Sequence, residues 1–162
     1  MSKNRKLWAL SGEEAKAPFH YTACGLDDIW LVSGYDAEEL DGERVVTIRN
    51  LDGLHAAIGQ SLVKRKKILT GKEIRFLRQQ LDLTQSQLAR FVGCDAQQIA
   101  RYEKGENKMP GSTDRLLRML YQEHLGGEIS VKALLTALDE LDSKISERQL
   151  FKETPDGWKA AA

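Results

Sequence analysis

The chain has 162 residues, enough for one domain or two small ones, and 41% of them are apolar, enough for packed cores. Its 24 Lys/Arg and 24 Asp/Glu cancel to a formal net charge of zero. No apolar run reaches the roughly 18 residues that a membrane span needs, and the basic N-terminus lacks the apolar stretch of a secretory signal. Cys24 and Cys94 stand alone without CxxC spacing, so no cysteine-built zinc site, no metal and no cofactor are expected. The expectation is a reduced, cytoplasmic protein without membrane association.

Divided along the sequence, the charge is uneven. Residues 1–61 carry 6 Lys/Arg against 10 Asp/Glu, residues 62–124 carry 13 against 7, and residues 125–162 carry 5 against 7. The balances are −4, +6 and −2. A basic middle between acidic flanks is the footprint of a nucleic-acid-binding segment attached to modules with other partners.

Residues 1–66 read as an N-terminal α+β module for partner binding or dimerisation. Ser11 and Glu14 make a capping pair able to open a short helix. His20–Cys24, Ile29–Tyr35 and Arg44–Arg49 read as strands of a small antiparallel sheet, the last two flanking a polar connection that contains Asp41-Gly42. A helix over Leu51–Val63 follows, with Leu54, Ile58 and Leu62 at helical spacing. His55 on that helix reads as a partly exposed surface residue, since no second ligand lies four residues on. The run Lys64-Arg65-Lys66-Lys67 is a solvated linker, a phosphate contact, or both.

Residues 67–125 read as a DNA-binding bundle. Thr70 with Glu73 opens its first helix, whose apolar stripe is Ile74, Leu77, Leu81 and Leu83. Thr84 to Gly105 then has the spacing of a helix-turn-helix. Leu88, Val92, Cys94, Ile99 and Tyr102 occupy the sealing slots, Ala89 the point of closest helix approach, and Gly93 the tight turn. Thr84 with Gln87, and Asp95 with Gln98, form capping pairs at the two helix starts.

The second helix of such a motif enters the major groove. With Ile99 and Tyr102 inward, Ala96, Gln97, Gln98, Ala100 and Arg101 lie near the outer face. Gln97 and Arg101 stack one turn apart, an amide suited to adenine and a fork suited to guanine, with Gln98 and Ala96 beside them. The bland alternative is an ordinary solvated helix face. Gln85 and Thr84, at the start of the preceding helix, are placed to meet a phosphate, as are Lys104 and Lys108. Pro110 delays the next helix to about Ser112; its stripe is Leu116, Leu117, Leu120 and Tyr121, and its Arg115 and Arg118 are further candidates for the DNA backbone.

Residues 126–162 read as a C-terminal helix and tail. Gly126-Gly127 breaks the chain, and Ser130 caps a helix with Val131, Leu134, Leu135, Leu138 and Leu141 at helical period. That stripe reads as core packing or as a dimer surface. The tail, with Pro155, Gly157 and Trp158, offers only an aromatic able to dock. No nucleophile–base pair, paired-histidine spacing, GxGxxG or P-loop is present, so an enzyme is not expected.

The segment TQSQLA…VGC…QIARYEKG resembles the lambda-repressor-like, or XRE-type, helix-turn-helix regulators. ARYEKG followed by Pro110 and LLRMLY resembles more specifically the DNA-binding half of MqsA-type antitoxins, and CGLDDIWLVSGY with LTGKEIRFLR resembles regulators grouped with that family. The similarity covers roughly residues 20–122. It departs from the family at the zinc-binding cysteines, of which only Cys24 is retained. The resemblance implies an all-helical DNA-binding bundle behind an N-terminal partner-binding domain; with the elements read above, the expected fold is mainly α, a short antiparallel sheet plus helix preceding a lambda-repressor-like helical bundle and a C-terminal helix. It also implies base reading by Gln97 and Arg101. The functional expectation is a transcriptional repressor that binds a palindromic operator in double-stranded DNA as a homodimer. Two alternatives stand beyond that: an antitoxin whose N-terminal module covers a small toxin protein, or a stand-alone or phage-related regulator with a sensory module.

Overall fold

The structure is a computed structural model that describes residues 17–126, 128, 130–141 and 148–161. The helix expected after Ser11 lies outside the described residues. Those described fall into two compact units, one made of residues 17–23, 27–58 and 148–161, the other of 24–26 and 59–141.

The first unit is a β module. Strand β1 (Phe19–His20) pairs antiparallel with β2 (Ile29–Leu31), β2 pairs parallel with β5 (Gln149–Thr154), and β5 pairs antiparallel with β6 (Gly157–Ala161). Separately, β3 (Tyr35–Leu40) and β4 (Glu43–Ile48) form a two-stranded antiparallel ribbon. Asp41 and Gly42 close it with φ of 51° and 83°, the positive pair that a two-residue hairpin turn requires.

Three sequence expectations are corrected here. The strand expected over Ile29–Tyr35 is broken at Ser33-Gly34: Gly34 takes φ +81°, and a Cβ there would lie 2.4 Å from the Trp158 ring. The stretch after it, expected as a polar connection, is the strand β3. Its acidic residues are tolerated because only Tyr35 and Ala37 are buried while Glu38, Glu39 and Leu40 are exposed. The tail, from which no element was expected, is the hairpin β5–β6. Phe151 is fully buried, and Trp158, also buried, donates its indole N–H to the Arg49 carbonyl at 3.1 Å. It is thus a core residue, not a free docking aromatic. Further ties are the Arg49–Glu153 ion pair at 3.0 Å and the Glu153 N–H donated to Ser33 Oγ at 2.9 Å.

Helix α1 (Leu51–Arg65) follows, with Asn50 Oδ1 accepting from the Gly53 N–H in its first turn. The second unit takes up the end of α1 and continues through α2 (Gly71–Gln80), α3 (Gln85–Val92), α4 (Ala96–Lys104), α5 (Gly111–His124) and α6 (Val131–Glu140). The mainly α class with a small β module is therefore the observed one. Its helical core contains Leu62, Ile74, Leu77, Leu88, Ile99, Leu117 and Tyr121, all nearly or fully inaccessible. On α6, Leu138 is buried and Leu134 half-buried, as is Leu141 just past its end.

Arg118, placed by the sequence reading among the DNA-backbone candidates, is fully buried. Its Nη1 donates to the carbonyls of Val63 at 2.8 Å and Lys66 at 2.7 Å, and its Nε donates to Asp114 at 2.8 Å. A cation thus satisfies carbonyls left open where α1 ends, and its own charge is balanced by the carboxylate one turn away. The basic run is likewise half internal. Lys66 is buried against Glu73 at 3.2 Å and Lys67 Nζ donates to the Leu138 carbonyl at 2.7 Å, leaving only Lys64 and Arg65 exposed.

Candidate nucleic-acid interface

The two helices of the motif start and stop as their end residues dictate. Thr84 Oγ1 accepts from the Gln87 N–H at 3.1 Å while Gln87 Oε1 accepts from the Thr84 N–H at 2.8 Å, a reciprocal capping box. Thr70 and Glu73 repeat this at α2. At Asp95 the bond runs one way, from the Gln98 N–H to Oδ1 at 2.8 Å. Gly93 ends α3 at φ +78° and turns the chain into α4. Leu88, Ala89, Ile99 and Tyr102 are buried between the helices, with Val92 and Cys94 half-buried at the margin. Burial, helped by Asp95, pushes the Cys94 thiol above its ordinary range, so it stays protonated and acts as a small apolar filler.

A polar brace sets the angle of α4. Glu103 accepts both arms of the Arg78 guanidinium from α2, the Nη2 contact measuring 3.2 Å, and also the Gln85 side-chain N–H from α3 at 2.9 Å. Arg78 Nη1 in addition donates to the Leu83 carbonyl at 2.8 Å. One carboxylate so ties the starts and ends of three helices with charge-assisted bonds, the strongest kind available. Gly71 lets α2 begin hard against α4: a Cβ there would lie 2.4 Å from the Glu103 carbonyl oxygen. Sequence reasoning missed Arg78, Glu103 and Gly71. Arg78 and Glu103 lie 25 residues apart, so no local period links them; only the oddity of charges on inward-facing positions signals them.

Against this frame the expected DNA contacts take distinct places. Gln97, Arg101 and Lys104 are exposed on α4, and Ala96 and Gln98 are half-buried. Thr84 is exposed, and Gln85, half-buried, spends one amide hydrogen on Glu103. Lys108 and the half-buried Arg115 line an open groove of about 480 Å3 with Lys67, Asn107 and Gly111. The groove adjoins the N-terminus of α5, where Pro110 supplies no side-chain cap. Cationic side chains beside uncapped amides suit an anionic oxygen. Arg118, in contrast, is turned inward by the network described above and cannot reach DNA.

Residues 74–113 match the helix-turn-helix family. The matched stretch is about a quarter of the chain, running from the middle of α2 through the first residues of α5. It supports an XRE-like, DNA-binding transcription regulator. No curated protein and no solved structure matches the chain. Among the described residues no helix is long and apolar enough to cross a membrane.

Proposed function

We propose that this protein is a sequence-specific transcriptional repressor that lays α4 in the major groove of a palindromic operator as a homodimer. The observation that carries the reading is the polarity of α4: Ile99 and Tyr102 are buried beneath it while Gln97 and Arg101 project one turn apart on the exposed side. Gln97 and Arg101 read bases, with Gln98 and Ala96 packed close enough to exclude a wrong edge. Thr84, Gln85, Lys104, Lys108 and Arg115 hold phosphates and set the register. The second amide hydrogen of Gln85 serves this contact, since the first is held by Glu103.

The test is a gel shift on the upstream region of its own gene. Arg101→Ala should cost about 1–3 kcal/mol on that fragment and relax preference at one base pair. Lys108→Ala should weaken specific and scrambled DNA alike and make the salt dependence shallower. An Arg101→Ala protein that keeps the original ratio between the two DNAs ends the base-reading assignment.

One observation favours an added antitoxin role over a stand-alone regulator. The β3–β4 ribbon exposes Glu38, Glu39, Asp41 and Glu43 around its turn, an acidic surface complementary to a small basic toxin protein. Co-expression with the product of an adjoining gene tests this. A complex lost on charge reversal at Glu38 and Glu39 supports it, and the absence of any complex returns the module to a sensory role.

A further inference from the structure

Strand β4 leaves one edge open. A two-residue turn makes Leu40 and Glu43 a hydrogen-bonded pair, so Glu43, Val45 and Thr47 aim their backbone groups at β3. By alternation Arg44, Val46 and Ile48 aim theirs at the far edge. The Arg49 N–H donated to the Gly34 carbonyl at 2.9 Å fixes the same phase. Among the described residues no strand pairs with that edge, because the ribbon has two strands only.

Exposed edges are normally guarded by Pro, Lys or a bulge. Beyond Glu43 and Arg44, β4 reads Val-Val-Thr-Ile, with none of these and an uninterrupted register, and Val45 is 42% exposed. The opposite edge, along β3, differs. Asp36, Glu38 and Glu39 crowd it with like charge, so two copies of β3 repel.

We infer that β4 pairs antiparallel with β4 of a second copy of this chain, about a two-fold axis at Val46. That axis sets Val46 against its own counterpart, Val45 against Thr47, Arg44 against Ile48, and Glu43 against Arg49 of the second copy. Val46 and the Val45–Thr47 pairs so bring apolar and β-branched residues together, Ile48 meets the aliphatic stem of Arg44, and a carboxylate meets a guanidinium that already sits beside Asp36 and Glu153. Antiparallel addition of a strand to itself is two-fold by construction. The acidic β3 edges then close the four-stranded ribbon against further copies. The inference rests on the dimeric-regulator reading above and names its interface.

The experiment is sedimentation equilibrium of the full chain at micromolar concentration. Wild type should run at twice the 18.2 kDa chain mass. Val46→Pro removes the outward N–H, twice per dimer, while leaving every bond to β3 in place. The dimer dissociation constant should rise about a hundredfold, with unchanged far-UV circular dichroism. Glu43→Lys, on the exposed tip, should raise it about tenfold at low salt and less at high salt. A monomeric wild type overturns the inference, and so does a Val46→Pro protein that is folded and still dimeric. In the latter case a wild-type gel shift on its own promoter leaves the DNA-binding reading standing, which separates the two failures.

Discussion

The helix-turn-helix and the β module are fixed by contacts of opposite range. In α2 to α4 the capping bonds at Thr70, Thr84 and Asp95 reach three residues, and the longest tie, Arg78 to Glu103, spans 25. In the β module Ile29 pairs with Gln149, Arg49 with Glu153 across 104 residues, and Ser33 with Glu153 across 120. Closing a loop of that length costs entropy before any pairing rewards it. The helical motif is therefore assembled from contacts close in sequence. The sheet waits for the last strands of the chain, and its core residue Phe151 arrives from the far end.

The strongest tests of this contrast remove one central group from each unit. Phe151→Ala should cost about 3–5 kcal/mol through lost burial and the cavity left behind. Arg118→Leu should cost about as much, roughly 3–5 kcal/mol, because Asp114 and the carbonyls closing α1 lose their partner together. All three tryptophans, Trp8, Trp30 and Trp158, lie outside the helical segment 59–141, so fluorescence and helical circular dichroism weight the units differently. In urea, Phe151→Ala should move the fluorescence midpoint most and Arg118→Leu the helical signal most. Coincident midpoints by both probes in both variants would show one cooperative unit and end the contrast.

The same difference decides what was legible before the structure. The helix-turn-helix could be read residue by residue, since Thr84, Gly93 and Asp95 act on neighbours within four positions and Leu88, Ile99 and Tyr102 keep a helical period. The ribbon was legible only at its turn, Asp41-Gly42, and along Arg44–Arg49. Strand β3 is masked by three acidic residues, Asp36 and Glu38 on its outer face and Glu39 at its exposed end. The parallel pairing of β2 with β5 leaves no local trace at all. Arg118 misled for a related reason. It lies on the inward stripe with Asp114, Leu117 and Tyr121, yet a single arginine on a basic segment reads as a phosphate contact until the open carbonyls of α1 are seen beside it.

A pH experiment sharpens the helical side. Burial pushes the Tyr121 hydroxyl up to about 12, against an ordinary value of 10.0. A raised folded-state value means that its stabilising contribution is whole below pH 10 and fades as pH climbs through about 12. The loss amounts to roughly 2 kcal/mol by pH 12, where the folded hydroxyl is half ionised. Tyr121→Phe has no proton to lose there, so its urea stability measured at pH 9 and pH 12 should fall by that much less than wild type. Parallel curves for the two proteins would show that the hydroxyl is not shielded as its burial indicates.

The smallest expected effect separates folding from DNA contact at a single atom. Thr84 Oγ1 accepts from the Gln87 N–H at 3.1 Å, which leaves its own hydrogen free to be donated to a phosphate oxygen. Thr84→Ala removes the cap and, under the proposed function, the phosphate contact, so it should lower stability by about 1 kcal/mol while weakening DNA binding. Thr84→Asp keeps the cap, because a carboxylate accepts the same amide and favours the positive end of α3. It cannot donate, and it sets a negative charge against the phosphate. Thr84→Asp should therefore melt at or above the wild-type temperature yet bind operator and scrambled DNA about tenfold more weakly, with Thr84→Ser close to wild type in both. If Thr84→Asp binds DNA as wild type does, Thr84 only starts a helix, and the local signals that build this motif are distinct from those that meet the nucleic acid.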